Sequence, residues 1–162
     1  MSVYEMWTVV VLGVTAFIFL LQAAIAVQSL TADYTRRRKE ATINHMNDIR
    51  PQYFQIDQEL ISKLGKGALD DAKIDAILQD SELLSRIKMM LGLFEHLAVG
   101  ANEGVFDIGL LDRMSGRHLI DVHDRFGRYI ERRRSEDDNP RYYEEFDKLV
   151  KKIQSRRRRA IG

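Results

Sequence analysis

Hydrophobic residues are unevenly placed along this chain. From Met6 to Val27 every position is apolar except Thr8, Gly13, Thr15 and Gln22, and no charge stands between Met6 and Ala32. As a helix rising 1.5 Å per residue, this run is roughly 33 Å long, enough to cross a hydrocarbon core of about 30 Å. Tyr4 and Trp7 stand at its outer end, where amphipathic rings favour the interface. Ala24-Ile25-Ala26 has the small-x-small form of a signal-cleavage site. Residues 1–5 carry no Lys or Arg, however, and the run exceeds a signal core in length. The cations Arg36, Arg37, Arg38 and Lys39 also follow closely, which opposes export of what comes next. The pattern therefore predicts a retained transmembrane helix. The positive-inside rule puts the N-terminus outside and residues 33–162 in the cytoplasm, at the inner (cytoplasmic) membrane.

Beyond the span the apolar spacing is helical, and alternating strand patterns are missing. The membrane helix is expected to continue as a sparse stalk until Pro51 stops it. A short helix follows over Gln52–Leu64, broken by Gly65-Lys66-Gly67, and another over Asp71–Gln79. The strongest pattern runs from Ser81 to about Gly100. Leu83, Ile87, Met90, Phe94, Leu97 and Ala101 step by four and three, and Leu84, Leu91 and Ala98 form a second row. Such a wide apolar face marks a central helix. A short helix around Phe106–Met114 is expected to break at Gly116, with the next running from Leu119 to about Arg134. Asn139-Pro140 reads as an N-cap with proline at the first helical position. Tyr142, Phe146, Leu149 and Ile153 would face inward on the last helix.

The expected fold is all-α, with one N-terminal transmembrane helix followed by a cytoplasmic bundle of about five or six helices. The predicted divisions are a tail at 1–5, the span at 6–28, a juxtamembrane stalk at 29–50, a helical domain at 51–155 and a basic tail at 156–162. Composition alone hides this division. Over 162 residues, 25 Lys and Arg balance 24 Asp and Glu to leave a net charge of +1. The acids concentrate in residues 55–82 and no acid follows Asp147. Without cysteine there is no disulfide scaffold, thiolate metal site or cysteine nucleophile.

Four segments carry a resemblance. They are Leu93-Phe94-Glu95-His96-Leu97-Ala98, Gly104-Val105-Phe106-Asp107, Tyr129-Ile130-Glu131-Arg132-Arg133-Arg134, and Asn139-Pro140-Arg141-Tyr142-Tyr143-Glu144-Glu145-Phe146. In order and spacing, Leu83 to Val150 resembles the bacterial domain of unknown function 4760 family. The resemblance implies a small helical protein behind one membrane span. It implies no activity, and no site transfers with it.

Candidate chemistry is thin. His123-Asp124, with His96 and Asp147, is the nearest approach to a metal-dependent phosphohydrolase, but a dipeptide arises easily by chance. Gly65-Lys66-Gly67 lacks the spacing of a phosphate loop. No cofactor is expected. Glu95, beside Phe94 on the central helix, reads as a helix–helix polar tie, with an arginine of the 125–134 region as its expected partner. Thr8, Thr15, Gln22 and Ser29 recur every seven residues and so share one face of the span, where they would bond a second helix. Arg36, Arg37, Arg38 and Lys39, with Arg156, Arg157, Arg158 and Arg159, are candidates for an anionic partner. The expected function is a non-enzymatic, membrane-anchored interaction module that binds a partner protein or itself. The expected partners are membrane lipids and a protein or second copy. An anionic-lipid or nucleic-acid binder is the alternative, and nucleic acid is disfavoured by the few aromatics among the arginines.

Overall fold

A computed structural model of the chain describes residues 2–160, apart from the side chains of Glu5, Met6 and Val9. Met1, Ile161 and Gly162, in the tails expected at 1–5 and 156–162, lie outside the described residues. Among the described residues five helices account for the fold: α1 (Val3–Leu64), α2 (Asp71–Gln79), α3 (Ser81–Asn102), α4 (Ile108–Glu136) and α5 (Glu144–Arg159). No strand occurs among the described residues. The fold is thus all-α, with one long apolar N-terminal helix followed by a helical bundle. The chain divides into two compact units, residues 1–37 and 38–162.

In the first unit α1 is long and apolar enough to cross a membrane, and none of its apolar window is buried by protein. Phe17, Phe19 and Leu20 are each about two-thirds exposed or more. Thr8 and Thr15 turn their hydroxyls back onto the carbonyls of Tyr4 and Val11, at 2.9 and 2.8 Å. Back-bonding of this kind satisfies a hydroxyl without a second helix.

In the second unit two expected breaks do not occur. Pro51 lies inside α1 rather than ending it. A helical proline lacks the N–H that would bond the carbonyl four residues back and costs about 3 kcal/mol. Packing overrides that cost. Met46, Ile49, Tyr53, Ile56, Leu60 and Leu64 are all buried and continue one helical face past the proline, which is itself exposed. Each such side chain contributes about 1.5–3 kcal/mol on burial. The compact unit accordingly begins at Arg38, ahead of Pro51. Gly116 likewise lies inside α4, which runs unbroken from Ile108 to Glu136. Leu30 and Tyr34 are exposed, whereas Thr42, Met46 and Ile49 are buried.

α2 and α3 begin where the sequence pattern puts them, each behind an aspartate cap. Asp70 accepts from the Lys73 N–H, and Asp80 accepts from Glu82 and Leu83. Every residue of the principal apolar row of α3 is buried. Phe94 is the hub, stacked on Phe146 of α5 at 5.5 Å and tilted on Tyr53 of α1 at 5.2 Å between ring centroids. α5 packs against both α3 and α4.

The start of α5 differs from the Asn139-Pro140 cap. Residues 140–143 form turns, and the helix begins at Glu144 behind Tyr143, whose φ of 55° is left-handed. That conformation costs a non-glycine residue roughly 1–2 kcal/mol. It turns Tyr143 into the core, so Tyr143 is buried and Tyr142, the residue expected inside, is only partly so.

Candidate functional site

Three polar groupings of the second unit bear on function: the start of α5, a buried ion pair, and a cleft. At the first, Tyr143 offers no side-chain cap to α5. Glu95 on α3 supplies it instead, accepting the backbone N–H groups of Glu145 at 3.2 Å and Phe146 at 2.8 Å. A carboxylate here satisfies two orphan donors and complements the helix dipole. Asn102 donates to the Glu145 carbonyl and carboxylate, at 3.0 and 2.8 Å. From α4, Arg134 donates to the Tyr142 carbonyl at 2.8 Å and to Asp147 at 2.7 Å. His123 bonds the other oxygen of Asp147 at 2.9 Å.

These contacts set the charges. The hydrogen bond His123 donates to the Asp147 carboxylate raises the His123 pKa above its ordinary value, outweighing burial. Burial works against ionisation of Asp147, but hydrogen bonds from His123 and Arg134 prevail and hold its pKa below the usual value. The expected group of His123, His96, Asp124 and Asp147 does not converge. His96 is exposed, and Asp147 is shared between His123 and Arg134. No cluster of three or more His, Asp or Glu able to hold a metal is present among the described residues.

The second place is deeper. Asp57 of α1 and Arg125 of α4 are both buried and meet at 2.7 Å. The Arg125 carbonyl also accepts the Leu69 N–H, at 3.1 Å, which fixes the loop after α1. His118 lies 3.9 Å from the other Asp57 oxygen and stacks on Tyr53 at 5.1 Å. Burial lowers its pKa despite Asp57, with Arg125 adding to the effect.

The third place, a cleft of about 400 Å³ among α1, α4 and α5, is the candidate site. Tyr53 and Phe54 line the α1 side, with Arg50 beside them. Ser115, Gly116 and His118 line the α4 side. The Ser115 hydroxyl is 3.4 Å from that of Tyr53. Arg157 closes one end by bonding Asp112 at 2.7 Å. Gly116 makes that latch possible, because a Cβ there would collide with the Asp112 carboxylate and stand 2.8 Å from the Arg157 guanidinium. Gly109, two turns earlier, leaves similar room for Arg156, whose guanidinium would be 2.8 Å from an added Cβ. The cleft was not visible in the sequence, because its walls are more than fifty residues apart. A glycine pair seven residues apart on one helix is a close-approach signal, yet Gly116 read as a break.

The expected site residues fall as follows. Glu95 ties α3 to α5, but its partners are backbone donors and not an arginine. Among the described residues, Gln22 and Ser29 are exposed without a bonding partner. Arg37 pairs with Asp33 at 2.9 Å. Arg38 donates to the Phe106 carbonyl at 2.9 Å. It thereby helps hold the loop before α4, where Thr42 accepts the Asp107 N–H and His45 stacks on Phe106. Arg36 is also engaged, and Lys39 is exposed. Arg156 and Arg157 lie against α4, while Arg158 and Arg159 are exposed at the helical end of α5.

A family model described as a domain of unknown function, DUF4760, matches residues 16–153. The match takes in just over half of the apolar run and the bundle as far as Ile153 in α5. No curated protein and no solved structure matches the chain.

Proposed function

The chain belongs to the DUF4760 family, and we propose that it is a membrane-anchored helical interaction module, non-enzymatic, which binds a partner protein or a second copy of itself. Gln22 carries this reading. It stands exposed in the charge-free apolar run of α1, its side chain with no bonding partner among the described residues. A primary amide left unbonded in hydrocarbon costs several kcal/mol, of order 2–7, and a second helix presenting a polar group removes that cost. Thr8 and Thr15 need no such help, because their hydroxyls bond within the helix. The stripe therefore narrows to Gln22, with Ser29 a further two turns on.

In this reading α1 is a retained anchor. Ala24-Ile25-Ala26 falls within the unbroken helix α1, and the family match already begins at residue 16. The reading puts the N-terminus outside and the bundle in the cytoplasm, at the inner membrane, an orientation that the Arg36–Lys39 quartet favours. His123 and Asp147 join α4 to α5, and this reading gives them a structural role. A lipid-binding alternative through Arg156–Arg159 is weakened because Arg156 and Arg157 lie on α4.

The natural chain has no cysteine, so single cysteines report cleanly. Ser29→Cys in full-length protein in membranes should form an oxidised dimer or a mixed disulfide with a membrane partner that carries a thiol. Adding Gln22→Leu should reduce that product. A product unchanged by Gln22→Leu would refute the role of the stripe.

A further inference from the structure

We propose that the cleft among α1, α4 and α5 is a binding site for a small organic phosphate monoester, an activity separate from partner binding through the membrane helix. Charge accounting within the cleft carries the inference. Its lining contains two aspartates, and each is already neutralised. Asp112 is held by Arg157 at 2.7 Å and Asp121 by Arg117 at 3.0 Å. Two further guanidiniums, Arg50 on α1 and Arg113 on α4, line the same cleft. Neither has an ion pair or hydrogen bond among the described residues. Burial lowers the His118 pKa from its ordinary 6.5 and so favours the neutral imidazole. The cleft therefore presents two unmatched positive charges from opposite walls, and a phosphate monoester dianion matches that count. Guanidinium forks bond phosphate oxygens in pairs, which favours phosphate over a single carboxylate.

The rest of the lining selects an organic group. The Tyr53 and Ser115 hydroxyls offer neutral hydrogen bonds beside the arginines. Phe54 shares the cleft and is 56% exposed, an apolar ring with no core role. At about 400 Å³ the volume lies within the range of small-molecule sites, about 300–1,000 Å³. A phosphate alone would leave Phe54 uncovered, whereas a phosphate carrying a ring would cover it.

The test is titration calorimetry on the full-length protein in a neutral detergent, with phenyl phosphate, inorganic phosphate and benzoate as probes. Phenyl phosphate should bind saturably, more tightly than either of the others, and more weakly as salt rises. Arg50→Gln with Arg113→Gln should weaken it at least about tenfold. Both positions are exposed, so the melting temperature should be unchanged, which separates lost binding from lost folding. Phe54→Ala should bring phenyl phosphate down to the affinity of inorganic phosphate. Absence of saturable phenyl phosphate binding would overturn the proposal, as would binding that is indifferent to the arginine pair. Equal affinity for benzoate would overturn the dianion assignment.

Discussion

The carboxylate of Glu95 on α3 accepts the backbone N–H of Phe146 on α5 at 2.8 Å, so one helix caps the next. The local sequence of α5 cannot do this, because Tyr143 occupies the cap position in a left-handed conformation with no side-chain acceptor. Losing a cap typically costs about 1 kcal/mol, within a range of about 0.5–2. Glu95→Ala should therefore lower stability by about 1–2 kcal/mol, measured by chemical denaturation. Glu95→Gln, which keeps one acceptor and loses the charge, should cost less. Hydrogen exchange at the Glu145 and Phe146 amides should accelerate in Glu95→Ala before exchange elsewhere in the core. Uniform acceleration would mean that Glu95 acts through general packing.

The buried pair of Asp57 and Arg125 makes a steeper prediction. Removing one partner strands a buried charge, which typically costs about 3–5 kcal/mol. Arg125→Met alone should destabilise by that order. Asp57→Leu with Arg125→Met should recover most of the loss, since replacing a whole buried pair by apolar groups is often neutral. A double variant as unstable as the single would show that the Arg125 side chain matters by packing instead.

Two histidines give opposite pH dependences. The folded state raises the His123 pKa, so its bond to Asp147 contributes fully below the ordinary histidine value of 6.5. That contribution fades as pH rises through the raised folded value. His118 is lowered by burial, so protonation favours the unfolded chain. Its penalty is absent above 6.5 and grows as pH falls toward the folded value. His123→Gln should flatten the stability loss on the alkaline side, and His118→Gln the loss on the acidic side. Melting temperatures across about pH 5–9 would check both. If either variant flattened the opposite limb, the assigned charge states would be reversed.

Glycines on α3 and α4 should respond differently to alanine. Gly92 and Gly127 have open space where a Cβ would be added. Helical Gly→Ala there should stabilise by about 0.5–1 kcal/mol. At Gly116 the same change must displace Asp112 and loosen Arg157. It should yield no gain, and it should be non-additive with Arg157→Ala in a double-mutant cycle.

The periodic positions made much of this fold legible in the sequence. The apolar row of α3 and the charge-free run of α1 depend on local spacing, which a sequence displays directly. Pro51 and Gly116 misled for one shared reason. Their local preference is to break a helix, while the reason each helix continues is tertiary. Buried residues from Met46 to Leu64 carry α1 through the proline, and Gly116 makes room for the Asp112–Arg157 latch. Glu95 shows the same limit: residue names offer an arginine as its partner, whereas a backbone N–H has no signature in them. The cleft was invisible because Arg50 and Arg113 line one space only when α1 and α4 pack.

The proposed association runs through the apolar part of α1, and the molar mass of the protein in neutral detergent reports it. Full-length wild type should show a mass above that of one chain, or a stoichiometric co-purified partner. Gln22→Leu should fall to the mass of one chain with the bundle still folded. An identical mass for wild type and Gln22→Leu would contradict the account.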